Sequence, residues 1–141
     1  MRAVLALFAL LLAACSSAQD EEIARRLAGH WYVEYTRPDN GRTYRFLKER
    51  RPNGEFVLRY RIYQDDRMVS QHEESGDWRI VGGKYRTRTL KVDGSRVPGA
   101  DPYFFDTYDI LVLDDREFVY RHTRVDLTFR VRRVSADHQL P

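Results

Sequence analysis

The stretch Glu55-Phe56-Val57-Leu58-Arg59-Tyr60-Arg61-Ile62 decides the fold. Phe56, Leu58, Tyr60 and Ile62 fall at every second position, with Glu55, Val57, Arg59 and Arg61 between them. Successive side chains of an extended chain point to opposite faces, so this spacing predicts a half-buried antiparallel strand. Toward the N-terminus, Pro52-Asn53-Gly54 is a turn and Thr43 to Arg50 a second strand. Beyond Pro38-Asp39-Asn40-Gly41, Trp31, Val33 and Tyr35 alternate with His30, Tyr32, Glu34 and Thr36. Toward the C-terminus, Arg67 to Glu74 and Asp77 to Val81 read as separate strands, and Gly82-Gly83 makes a tight hairpin into Lys84 to Val92. Tyr103 to Leu113, Glu117 to Thr123 and Leu127 to Val134 complete the set, with turns between them at Asp114-Asp115-Arg116 and from Arg124 to Asp126.

Eight or nine strands joined in series leave two sticky edges unless the first pairs with the last, and closure removes both. The pattern therefore predicts an all-β domain, an antiparallel up-and-down β-barrel, over residues 20–135. The one helical candidate is Asp20 to Ala28, with Asp20 as its cap, Glu21 and Glu22 in its first turn, Arg25 and Arg26 near its end and Gly29 as the stop. The turn-rich run from Gly94 to Pro102 is long enough to form part of a rim. Residues 136–141 are expected to fray.

Composition narrows the classes. The chain has 141 residues, 24 Lys and Arg against 21 Asp and Glu, and one Cys, enough for one small domain and too few cysteines for a disulfide scaffold. Thirteen of the first fourteen residues are apolar, which leaves a polar body still rich in aromatic rings. Arg2, the uncharged run Ala3 to Leu12 and the small pair Ala13-Ala14 form the three regions of a secretory signal over residues 1–14. As a helix, Ala3 to Ala14 would reach about 18 Å, short of the roughly 30 Å of hydrocarbon that a spanning segment crosses.

Leu12-Ala13-Ala14-Cys15 resembles the lipobox of bacterial lipoproteins. The resemblance implies cleavage before Cys15 and acylation of that residue with several chains, enough for stable attachment. It implies a lipid-anchored protein on a short tether, residues 15–19. Ser16, where lipoproteins kept on the inner membrane often carry Asp, points to the periplasmic face of the outer membrane. Export excludes a nucleic-acid partner.

A second resemblance lies in Gly29-His30-Trp31, a Gly-x-Trp that opens the first strand after a short helical turn, as in lipocalins and related calycin barrels. Asp106-Thr107-Tyr108-Asp109 is similar to the Thr-Asp-Tyr of their late strands, with Asp and Thr reversed. The resemblance implies an Arg near the end of the last strand packed across the Trp. If Leu127, Phe129 and Val131 point inward, period two puts Arg133 on the same face, over Trp31.

Candidates for chemistry are few. His30, His72, His122 and His138 lack the spacing of a metal site. Asp106 and Asp109 fall on opposite faces of a strand and do not make an acid/base pair. No catalytic residue and no cofactor is called for, and an enzyme is not expected. The pairs Arg59/Arg61, Arg86/Arg88 and Arg130/Arg132 read as a solvated outer face. Phe56, Tyr60, Phe118, Tyr120 and Phe129, with Phe46, are expected to point inward, where eight strands enclose either packed side chains or one small ligand. Tyrosines there suit a molecule with an apolar body and a polar end. The expected function is non-enzymatic binding or carriage of such a ligand in the periplasm. The alternative is an envelope module with a filled core that contacts a protein, peptidoglycan or lipopolysaccharide.

Overall fold

The computed structural model describes residues 17–141. The first elements are a helix over residues 17–27 and strands β1 (Gly29–Thr36), β2 (Thr43–Arg50), β3 (Glu55–Gln64) and β4 (Arg67–Val81). There follow β5 (Lys84–Val92), the two-residue β6 (Ser95–Arg96), a 3₁₀ turn (Pro102–Phe104), β7 (Phe105–Leu113), β8 (Glu117–His122) and β9 (Thr128–Val134). Every pairing is antiparallel, and eight strands close in the order β1-β2-β3-β4-β5-β7-β8-β9 and back to β1, with β6 hanging from β5. The seam joins His30 to Val134, Trp31 to Arg133 and Tyr32 to Arg132. No lateral edge of the eight is left unpaired, as closure requires.

Two expected strands are one. Arg67 to Glu74 and Asp77 to Val81 form the single strand β4, which bends at a register shift between Ser75 and Gly76. The physical reason is Gly76: a Cβ there would lie 1.9 Å from the Arg88 carbonyl oxygen, so only glycine lets β5 approach that closely. Tyr103 does not begin β7 either. Asp101 accepts a hydrogen bond from the Tyr103 amide at 2.9 Å and Pro102 follows it, so the chain makes a 3₁₀ turn first.

Asp20 does not cap its own helix, which is already helical at residue 17. Its carboxylate accepts from the Gly82 and Gly83 amides, each at 2.7 Å, and fastens the helix to the β4–β5 hairpin. Leu27, fully buried, joins Trp31, Phe56, Trp78, Tyr85, Phe118 and Val131 in the core at this end of the barrel. In the structure the tail lies on the barrel: Arg61 donates to the Leu140 carbonyl and Tyr63 to that of Pro141, both at 2.6 Å, so it crosses the outside of β3.

The arginine pairs do lie outside. Arg59 meets Glu73 at 2.9 Å, Arg88 meets Asp77 and Arg130 meets Glu117. Each exposed pair contributes about 0–1 kcal/mol. Gly76→Ala should lower unfolding free energy by about 3 kcal/mol or more in a urea titration, the upper range for overpacking. Gly99→Ala, with open space around it, should change it by less than about 0.5 kcal/mol.

Candidate functional site

One end of the barrel is closed by three residues that the first strand and the last bring together. Trp31 is 1% exposed and donates its indole N–H to the Leu27 carbonyl at 2.9 Å. The Arg133 guanidinium lies 4.3 Å from the Trp31 ring and donates to the Ala28 carbonyl at 3.0 Å and to the Arg26 carbonyl. Gly29 has φ +127°, and a Cβ on it would stand 2.6 Å from Arg133 Nη1. The glycine is therefore needed twice, for its backbone and for the space the guanidinium takes. A cation over an indole in this half-dry position contributes about 1–2 kcal/mol.

Above that floor the interior is hollow. A cavity of about 280 Å³ is lined by Trp31, Val33, Tyr35, Phe46, Lys48, Arg50, Leu58, Tyr108, Tyr120, Leu127, Phe129 and Val131. That volume is just below the usual range for ligand pockets, roughly 300–1,000 Å³. A second recess of about 250 Å³ shares Tyr108, Leu127 and Phe129 with it and adds Glu74, Tyr103, Phe104, Asp106 and His122. The loop between β5 and β7 thus supplies part of the rim through Tyr103 and Phe104. Leu127 stands just before β9 and is 45% exposed, a residue of the mouth rather than of the packed interior.

Of the five aromatic residues expected to meet a ligand, Tyr120 and Phe129 line the cavity. Phe56 and Phe118 do not. They point inward but lie lower, in the packed core, where Phe118 stacks on Tyr120 at 4.4 Å and meets Trp31 edge-on at 5.8 Å. Tyr60 also stays out of the cavity lining and packs between Phe46 and His72, at 5.5 and 5.1 Å.

The largest omission of the sequence reading is Lys48 and Arg50. Both are on β2, where register places Tyr44, Phe46, Lys48 and Arg50 on one face. Arg50 is 1% exposed; its Nε donates to the Tyr85 hydroxyl at 2.9 Å, and no protein acceptor reaches Nη1 or Nη2. Its Cζ lies 4.8, 5.3 and 5.9 Å from the rings of Tyr85, Phe118 and Tyr120. Burying an ion costs several kcal/mol, and the rings recover about 2 kcal/mol of that at best. Lys48 lies with Nζ 3.9 Å above the Phe56 ring. Burial pushes its ammonium below the ordinary lysine value. Burial alone would raise the Tyr85 hydroxyl, but the Arg50 and Lys48 charges outweigh it and hold it below the ordinary tyrosine range. Burial raises Tyr108 and Tyr120, so both stay neutral hydrogen-bonding groups on the wall. Glu74 is also raised by burial, with Lys48 opposing the shift.

No protein-family model matches this chain, and no curated protein sequence matches it. At the mouth, His72 hydrogen-bonds Ser70 Oγ through Nε2 at 2.9 Å and Asp93 through Nδ1 at 2.8 Å. The order matches that of an acyl-transfer triad. The nearby Glu73 amide, however, already donates to the other Asp93 oxygen at 2.8 Å, which removes it as an oxyanion donor. The histidine bond, with that amide, lowers Asp93 below the ordinary carboxylate value. His122 pairs with Asp106 at 2.9 Å and accepts from the Arg124 amide at 3.0 Å, an arrangement that orders the β8–β9 turn. Asp109 faces outward to Lys84 and Arg121. Among the described residues no group of three or more His, Cys, Asp or Glu side chains could hold a metal ion. Cys15 lies outside the described residues.

A double-mutant cycle on Trp31→Phe and Arg133→Met should give a coupling of about 1–2 kcal/mol. Trp31→Ala alone should cost about 3–5 kcal/mol. Both are read from urea unfolding, and coupling near zero would make Arg133 a mere cap for the helix carbonyls.

Proposed function

We propose that this protein binds a small molecule with an apolar body inside its β-barrel, as a lipocalin-like carrier held to a membrane through Cys15. The observation that supports binding is the hollow above Trp31, walled by Val33, Phe46, Leu58, Tyr120, Phe129 and Val131. A barrel this small buries enough surface to fold with a solid interior, and large residues on facing strands would fill it. Here the lining residues instead leave a space of about 280 Å³ above the Trp31 floor. Such a shape excludes water from a ligand's apolar part at about 25 cal/mol per Å² removed from solvent.

Polarity fits a carrier better than an enzyme. Apart from Lys48 and Arg50, the walls are apolar or carry neutral phenols, which hold a ligand without reacting with it. The acyl-transfer-like relay of Ser70, His72 and Asp93 is half-exposed at the mouth, outside the cavity lining. Attachment rests on the lipobox-like Leu12-Ala13-Ala14-Cys15. With the helix packed on the closed end through Leu27 and Asp20, a lipid on Cys15 would hold that end toward the bilayer. The mouth would face the aqueous space of the periplasm.

Two measurements test this reading. Native mass spectrometry of protein released from membranes into a volatile buffer should show a bound small molecule, and Val131→Trp, which fills the space, should remove it. An unliganded wild-type spectrum alongside one reproducible protein crosslink would instead support an envelope interaction module. Cys15→Ser should move the protein from the membrane pellet to the soluble fraction; pelleting that survives high salt would refute the anchor.

A further inference from the structure

We propose that the ligand is an apolar monoanion, a carboxylate, which enters the barrel head first and places its charge between Arg50 and Lys48. The inference rests on the binding reading above and adds to it the ligand's charge and direction. Arg50 is the deepest charged residue of the cavity lining. Tyr85 occupies only its Nε, so the Nη1–Nη2 edge of the guanidinium keeps its donors unassigned to any protein acceptor. That planar edge is the one that matches the two oxygens of a carboxylate. Lys48, two residues away on the same face, brings a second cation near it: its Nζ lies 5.8 Å from the centre of the Tyr85 ring, whose hydroxyl Arg50 engages.

The charges around this pair leave room for one anion. Among the described residues, neither Arg50 nor Lys48 is in an ion pair with a carboxylate, although thirteen such pairs occur elsewhere in the protein. The inward carboxylates stand higher. Glu74 accepts from Thr89 Oγ1 at 3.4 Å and feels Lys48 only through space. Asp106 is engaged by His122 and Arg124. Placed near the mouth, Glu74 and Asp106 oppose an anionic head there, while Arg50 and Lys48 draw it below. A cation entering head first would meet the reverse arrangement. An apolar tail then lies among Val33, Phe46, Leu58 and Phe129, and the Tyr108 and Tyr120 hydroxyls, kept neutral, can donate to the head.

The rings around Arg50 offer the competing account, in which the guanidinium is a structural post satisfied by Tyr85, Phe118 and Tyr120 alone. The two accounts differ in what a ligand's charge does. The test uses the full chain carrying Cys15→Ser, titrated by calorimetry with decanoate, decanol and decyltrimethylammonium below their micellar concentrations. Decanoate should bind roughly tenfold to hundredfold more tightly than decanol, the range for hydrogen bonds to a charged group, and the ammonium should bind weakest. Arg50→Met, which keeps the volume, should bring decanoate to the affinity of decanol and leave decanol unchanged. Lys48→Met should give a partial loss of the same kind, which keeps the test open if Arg50→Met does not fold. Equal affinity for decanoate and decanol in the wild type would overturn the proposal and leave the binding reading standing. Failure of all three probes to bind would overturn both, and an unchanged decanoate preference in folded Arg50→Met would assign Arg50 to the structural role.

Discussion

The structure depends on the seam between β1 and β9. Three residue pairs, His30 with Val134, Trp31 with Arg133 and Tyr32 with Arg132, turn a meander of strands into a ring. Backbone pairing alone is weakly selective there, because a slip of one residue would still satisfy most hydrogen bonds while turning every side chain to the wrong face. The side chains fix the register. Arg133 has to reach the Ala28 and Arg26 carbonyls, and it can do so only beside Gly29 and across Trp31. One arginine thus closes the sheet, covers the indole and satisfies the last carbonyls of the helix.

A sealed floor is what makes the charges above it matter. If the barrel were open at both ends, water could solvate Arg50 from below and the cation would be ordinary. With Trp31, Phe118 and Leu27 packed beneath, the guanidinium lies in a region of low dielectric, where every favourable and unfavourable contact is magnified. The same environment lowers Lys48, raises Tyr108 and Tyr120, and lets two cations govern the Tyr85 hydroxyl. The interior is therefore electrically asymmetric from floor to mouth, positive where it is driest and carboxylate-bearing where it is wettest.

Much of this fold was legible in the residues. Period two in β3, turns at Asn53-Gly54 and Gly82-Gly83, and the need to remove two edges lead to a closed barrel. The resemblance at Gly29 and Trp31, followed by counting inward along β9, leads to Arg133. Three features were not legible. The bend that fuses two expected strands depends on how near Arg88 comes to Gly76, a contact between residues 12 apart in sequence. The role of Asp20 depends on amides 62 and 63 residues away. The docked tail depends on Arg61 and Tyr63. Lys48 and Arg50 are a different case: alternation from Tyr44 and Phe46 places them inside, and the general rule that charges face water hid it. Of the cavity, Tyr120 and Phe129 were found because aromatic residues are expected inside. Phe56 and Phe118 were overcounted because periodicity reports which face a residue occupies and not its depth.

The seam also fixes an order of events. Its two strands are separated by about a hundred positions, so joining them closes a loop that spans nearly the whole domain, and such distant pairings form slowly. Until those strands meet, the sheet is a wet, curled ribbon, and Arg50 and Lys48 become dry only when it closes.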